Sequence, residues 1–238
     1  MDQITLDVLL MTAVSIGFLH TLIGVDHALP FVALGKARGW NLTQTLFTTF
    51  VCGVGHVLGS VLIGAIGIGL GVALETLEFI EGFRGEVTAW LIIGFGLAYA
   101  TWSMLQLKRK STAHSHTHTH ADGTVHAHHH EHAAEHAHVH HETSQPVTKW
   151  ALFIIFVFGP CEALIPVLMA PAAEHNWLWV SIVTAAFGIT TIATMLGMVA
   201  VGYLGLNLAR FQGFERYANV AAGLAIAMGG TAIQVLGI

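Results

Sequence analysis

The sequence predicts an all-α integral membrane protein: six transmembrane helices arranged as two inverted three-helix repeats, with a disordered histidine-rich loop between helices 3 and 4. Three observations predict it. Hydrophobic residues make up 54% of 238 positions and charged residues 10%, where soluble domains carry about 25% charged, and the mean hydropathy is +0.68. Apolar runs able to cross a hydrocarbon core of about 30 Å, which takes roughly 20 residues, fall near 8–25, 42–70, 87–107, 150–172, 177–205 and 217–237, with Glu162 the only charge inside them. Between the third and fourth runs, the polar stretch from Lys108 to Lys149 carries 13 of the 17 histidines. The chain therefore divides into a first repeat over 1–107, a loop over 108–149 and a second repeat over 150–238.

The first span opens on Met1-Asp-Gln-Ile-Thr-Leu-Asp7, with no basic leader and no clear cleavage site after it, and so reads as a retained span. In the second, Gly55 and Gly59 form a small-xxx-small pair that lets another backbone approach. The fourth places Cys161 and Glu162 between Pro160 and Pro166, and the fifth presents Thr190, Thr191, Thr194, Met195 and Met198. Cys52 and Cys161 both lie within spans, which implies no disulfide framework. The connections after the first, third and fifth spans share one side and hold Lys36, Arg38, Lys108, Arg109, Lys110, Lys149, Arg210 and Arg216; the other side has Arg84 alone. That bias puts both termini outside and the histidine-rich loop in the cytoplasm of a multi-pass cell (inner) membrane protein. The outer side carries Asp2, Asp7, Glu75, Glu78, Glu81, Glu86 and Glu174, either as solvated loop charge or as an entrance that concentrates cations.

The halves match weakly. Gly17-Phe-Leu-His20-Thr-Leu-Ile-Gly sets against Gly159-Pro-Cys-Glu162-Ala-Leu-Ile-Pro, Gly53-Val-Gly-His56 against Gly188-Ile-Thr-Thr191, and Gly96-Leu-Ala-Tyr-Ala against Gly223-Leu-Ala-Ile-Ala. Three spans per half is an odd number, so the repeats run inverted, with a site near the midplane where interrupted helices meet.

A carboxylate and two imidazoles in hydrocarbon are costly and mark a substrate or ion path by default, which directs attention to His20-Thr-Leu-Ile-Gly-Val-Asp26-His27. Seven residues apart, the two histidines stand about 10.5 Å apart along an unbroken helix. Ligand bonds of about 2 Å hold donor atoms within roughly 4 Å of each other. One ion therefore needs a break near Gly24, which Gly24 and Pro30 favour, or the histidines act in succession. Alternatively, Asp26 and His27 satisfy backbone groups at the helix end near Pro30. His56 reads either as a ligand or as an interhelical hydrogen-bond partner, and Glu162 in mid-span requires a cation, a proton or a partner. The candidate metal ligands are His20, Asp26, His27, His56, Cys161 and Glu162. Imidazole, carboxylate and thiolate form a borderline set that suits Ni, Co, Zn or Cu above Mg or Ca.

Gly17-Phe-Leu-His-Thr-Leu-Ile-Gly-Val-Asp-His27, followed by Gly-Val-Gly-His56-Val-Leu-Gly, resembles the urease-accessory (UreH-like) transmembrane family, related to the nickel/cobalt transporters. That group is marked by a first-helix histidine, four spacer residues and Asp-His, plus a Gly-His in the second helix. Here the spacer has five residues, Thr21 to Val25. The resemblance implies nickel or cobalt transport and carries over to His20, Asp26, His27 and His56. The histidine-rich loop is also similar to that of nickel/cobalt efflux proteins.

The loop has no Phe, Trp or Tyr and few large aliphatics, so it cannot build a core. Its imidazoles, mostly neutral near pH 7, are free to bind metal and to buffer or sense it. The function expected is secondary transport of a divalent transition-metal cation, nickel or cobalt first, with Zn, Cu and Fe open as cargo and the direction undetermined. No nucleotide-binding loop and no His-Glu-x-x-His occur, so neither ATP hydrolysis nor proteolysis is expected. Two alternatives stand behind it. A transmembrane thiol electron carrier is suggested by the proline-flanked Cys161 but needs a second cysteine; an exporter of a sulfur-containing anion would want basic groups inside a span. No enzymatic activity and no resident cofactor are expected. The partners are a transition-metal ion and the lipid bilayer, without nucleic acid, and a homo-oligomer stays open.

Overall fold

The computed structural model of the protein describes residues 3–111, 114–119, 125–130, 145–159, 161, 163–208 and 217–236. Its helices are α1 (Gln3–Ile23), α2 (Leu29–Ala37), α3 (Leu42–Gly69), α4 (Leu74–Ser111), α5 (Gln145–Phe158), α6 (Leu164–Ala173), α7 (Trp177–Leu208) and α8 (Ala218–Leu236), with a 3-10 turn at Val25–His27. Five stretches are long and apolar enough to cross a membrane: Thr5–Ile23, Leu42–Gly69, Leu74–Lys108, Trp177–Leu206 and Ala218–Leu236. They mark a multi-pass membrane protein.

Three departures from the sequence reading bear on the site. The fourth apolar run is not one helix but two, α5 and α6, parted between Phe158 and Leu164. Gly159-Pro160 explains the interruption, since proline disfavours helix at the residue before it and has no N–H to continue the ladder. The third span starts at Leu74 instead of near 87, so Glu75, Glu78, Glu81, Arg84 and Glu86 are helical and not loop residues. In the histidine-rich loop, expected to be disordered, His114–Thr119 pairs antiparallel with Val125–His130. The β-branched Thr117, Thr119 and Val125 favour such a ribbon.

Local chemistry sets the helix ends. α2 stops at Arg38 because Gly39 takes φ +66°, a left-handed conformation that costs glycine nothing, and the Trp40 N–H then reaches back to the Gly35 carbonyl at 2.8 Å. α3 starts on a reciprocal cap: Gln44 N–H donates to Asn41 Oδ1 at 2.8 Å, and Asn41 N–H to Gln44 Oε1 at 3.1 Å.

In lipid, helices associate through close packing of small residues more than through hydrophobic burial. A Cβ at Gly96 would stand 2.5 Å from the Ala227 nitrogen, and one at Gly223 would stand 2.6 Å from the Ala100 nitrogen. The two contacts are reciprocal, each glycine facing the residue four past the other, and Gly230 against Ile93 continues the antiparallel crossing of α4 and α8. α3 and α7 also approach at glycines, through side chains: Gly53 faces Met195 and Ile192, and Gly188 faces Val57.

α1 ends just before Gly24 and α5 just before Gly159. In the sequence the match of Gly17 with Gly159 lies seven residues away from a match of Gly24 with Gly159. Two turns of helix return nearly to the same face, so apolar periodicity alone cannot separate the two alignments. Gly24 with Gly159 and Gly53 with Gly188 share one offset, 135 positions.

Candidate metal centre

α1 ends where the Gly24 N–H bonds the His20 carbonyl at 3.0 Å, and Gly24 itself is extended at φ −66°, ψ 103°. One 3-10 turn follows, closed by His27 N–H to the Gly24 carbonyl at 3.1 Å, and α2 restarts with Pro30 in its first turn, where a missing N–H costs nothing. The break brings the His20 and His27 rings to 5.1 Å between centroids. His56 of α3 joins them, its ring 5.3 Å from that of His27.

The hydrogen bonds assign the protons. His27 Nδ1 lies 3.2 Å from the Gly24 carbonyl oxygen and 3.1 Å from Asp26 Oδ1. Both are acceptors, so Nδ1 carries hydrogen, and in the neutral imidazole Nε2 then keeps its lone pair. His56 Nδ1 likewise lies 3.2 Å from the Phe156 carbonyl. Nε2 of His20, His27 and His56 is in each case buried with no hydrogen-bond partner among the described residues. A buried polar atom left unpaired costs about 1–3 kcal/mol, and a ligand shared by these neighbouring rings would offset that cost. One donor atom from each histidine lies within 4.8 Å of the others, against about 3.4–3.6 Å between nitrogens that share one ion at tetrahedral or trigonal angles. A contraction of about 1.2–1.4 Å closes the set. Orienting a ligating imidazole through its other nitrogen is the usual arrangement at metal sites.

Of the six sequence candidates, the structure brings together His20, His27 and His56, with Asp26 against the far nitrogen of His27. Cys161 is fully buried, and its thiol is not among the clustered donor atoms. Glu162 lies outside the described residues. A cavity of about 870 Å³ runs from His20, Asp26 and His27 to Glu78, Glu86 and Gln234, so the histidines connect with the acidic side.

Sequence reasoning missed Glu81, Arg84 and Ser60. Glu81 is completely buried and paired with Arg84 one turn on, which also places a basic residue inside a span where none was expected. The Glu81-x-x-Arg84 spacing suits an ion pair on one helix, but its charges interrupt the apolar run by which a span is recognised. Comparison of the chain with family models, with curated proteins and with solved structures finds no match.

Gly24 gives a first test. A Cβ there would run into the His27 ring and come within 2.9 Å of Asp26 Oδ1. Gly24→Ala is expected to lower Co(II) affinity about 10–100-fold, the usual cost of disturbing the groups that orient a ligand, with helicity unchanged. Calorimetric titration of the purified protein measures it; wild-type affinity would show that the turn does not shape the site.

Proposed function

We propose that the protein is a secondary transporter of a divalent transition-metal cation, nickel or cobalt in the first instance, with His20, His27 and His56 as its binding site. The carrying observation is that three neighbouring histidines at a break in a membrane helix bring one ring nitrogen each to within 4.8 Å of the others, and that each keeps a buried Nε2 with no hydrogen-bond partner among the described residues. Imidazole favours the later first-row divalent ions, and the first-half motifs resemble those of nickel/cobalt transporters. Asp26 offsets part of the cargo's charge while holding His27.

The transport reading takes α1 with α2 as one crossing and α5 with α6 as another, giving six spans in two inverted repeats. The reciprocal glycine contacts support it, because a two-fold axis in the membrane plane relates each contact to its partner. The shared offset supports it too, and sets Cys161-Glu162 against Asp26-His27. Interrupted helices at equivalent places around a central site are a recurring transporter design. Basic residues put the histidine-rich loop in the cytoplasm. On that side the halves are tied: Tyr203 donates to the Trp40 carbonyl at 2.7 Å, Lys36 lies 3.5 Å above the Tyr203 ring and Lys149 4.9 Å above that of Trp40. The cavity reaches the acidic side, so the cation meets the site from outside in this conformation. Cys52 and Cys161 are both free and pack in separate apolar clusters, which gives thiol chemistry no pair.

Uptake into proteoliposomes, with Ni, Co, Zn, Cu and Fe compared, tests the proposal. Saturable uptake of Ni or Co is expected; no uptake of any of the five above empty liposomes overturns it.

A further inference from the structure

A helix interrupted inside a membrane frees backbone groups that water cannot satisfy, so protein must satisfy them. At the end of α5, four consecutive carbonyls each accept a side-chain hydrogen bond. Phe156 accepts from His56 Nδ1 at 3.2 Å, Val157 and Gly159 from Arg84 Nη2 at 3.1 and 3.2 Å, and Phe158 from Thr88 Oγ1 at 3.0 Å. Across the gap, the Cys161 N–H donates to Glu81 Oε2 at 3.1 Å and to Ser60 Oγ at 3.0 Å. Ser60 Oγ in turn donates to Glu81 Oε2 at 3.1 Å, and Arg84 Nη1 bonds both Ser60 and Glu81. One ion pair on α4 therefore grips both sides of the break.

The gripped backbone touches the metal centre. A Cβ at Gly159 would stand 2.9 Å from His56 Nδ1, and one at Gly59 would stand 2.6 Å from the Val157 carbonyl oxygen. The end of α5 thus lies against the backbone of α3 at Gly59 and against the His56 imidazole at Gly159. The Phe156 carbonyl that fixes the His56 tautomer is the first of the four held.

We infer that Glu81 and Arg84 are positioning residues for the metal site: by clamping the α5–α6 interruption they hold the carbonyl that keeps His56 Nε2 turned inward as a lone-pair donor. The inference rests on the metal-transport reading for its consequence, and on the hydrogen bonds alone for its geometry. Neither residue contacts the donor atoms, and neither belongs to the first-half motif.

The test compares wild type with Arg84→Gln and Glu81→Gln. In metal-free protein labelled with 15N-histidine, the His56 ring is expected to show a single tautomer, hydrogen on Nδ1, in wild type and a mixture in both variants. His20 and His27 should keep their shifts, which a general loosening of the bundle would move together. Co(II) affinity is expected to fall about 10–100-fold in both variants. Unchanged His56 shifts overturn the inference, as does wild-type affinity despite altered shifts. The double variant E81Q/R84Q leaves no unpaired charge in the membrane and carries the same test if a single variant fails to insert. Absence of Co(II) binding by wild type would defeat the transport reading instead, and the ring shifts alone would then decide the clamp.

Discussion

Wild-type protein is expected to gain about 2.7 kcal/mol of stability at a Co(II) concentration one hundredfold above Kd, and His27→Ala is expected to gain nothing measurable. The His27 ring lies 5.1 Å from that of His20 and 5.3 Å from that of His56, so its loss leaves two of the three imidazoles at the site. Changing a group that merely orients a ligand costs about 10–100-fold in affinity; removing the ligand itself costs more, and transport falls with it. Without metal the balance differs. The alanine variant deletes a buried Nε2 that has no hydrogen-bond partner among the described residues, which offsets part of the packing it loses. The metal-free variant should therefore stay folded and inserted, as thermal unfolding in detergent with and without Co(II) will show. A full metal-dependent shift in the variant places the ion elsewhere.

Gly96→Val should disrupt the bundle as a whole. The α4–α8 crossing presses backbone on backbone, with a Cβ at Gly96 2.7 Å from the Gly223 carbonyl oxygen and 2.5 Å from the Ala227 nitrogen. A flexible side chain could swing aside from such a clash, but a helix backbone cannot. Overpacking of cores commonly costs about 1–3 kcal/mol, and a clash between two main chains belongs at or above the top of that range. Gly94, two residues away, has open space where its Cβ would be; Gly94→Ala should change stability by less than about 0.5 kcal/mol. Size-exclusion profiles and thermal unfolding of the two variants separate the cases. Equal behaviour would mean that the crossing is not packed as described.

Much of this was legible before folding. Composition and run length located the five long apolar helices, because crossing a bilayer demands about 20 apolar residues whatever the fold, while the fourth run divides into the shorter α5 and α6. The arithmetic of His20 and His27 also reached the answer conditionally: one ion needed a break at Gly24, and the helix stops there. His56 was found for the same reason, as an imidazole with no good business in hydrocarbon. A seven-residue slip between the halves preserves the helix face, so the apolar pattern alone does not choose a register for the proposed repeat. Glu81 and Arg84 escaped detection. A hydropathy window penalises each charge separately and cannot see that two opposite charges one turn apart neutralise each other, so the start of α4 looked like loop. The role of Asp26 was half visible: its proximity to His27 follows from sequence, but that it holds the imidazole's far nitrogen depends on the turn.

The most direct measurement is X-ray absorption at the cobalt edge on Co(II)-loaded protein lacking residues 112–144, so that the loop histidines cannot contribute. One Co(II) per chain is expected, bound by three imidazole nitrogens at about 2.1 Å, with one imidazole lost in His56→Ala. Failure of the loop-deleted protein to bind Co(II), or an ion coordinated by oxygen alone, would contradict a metal site at His20, His27 and His56.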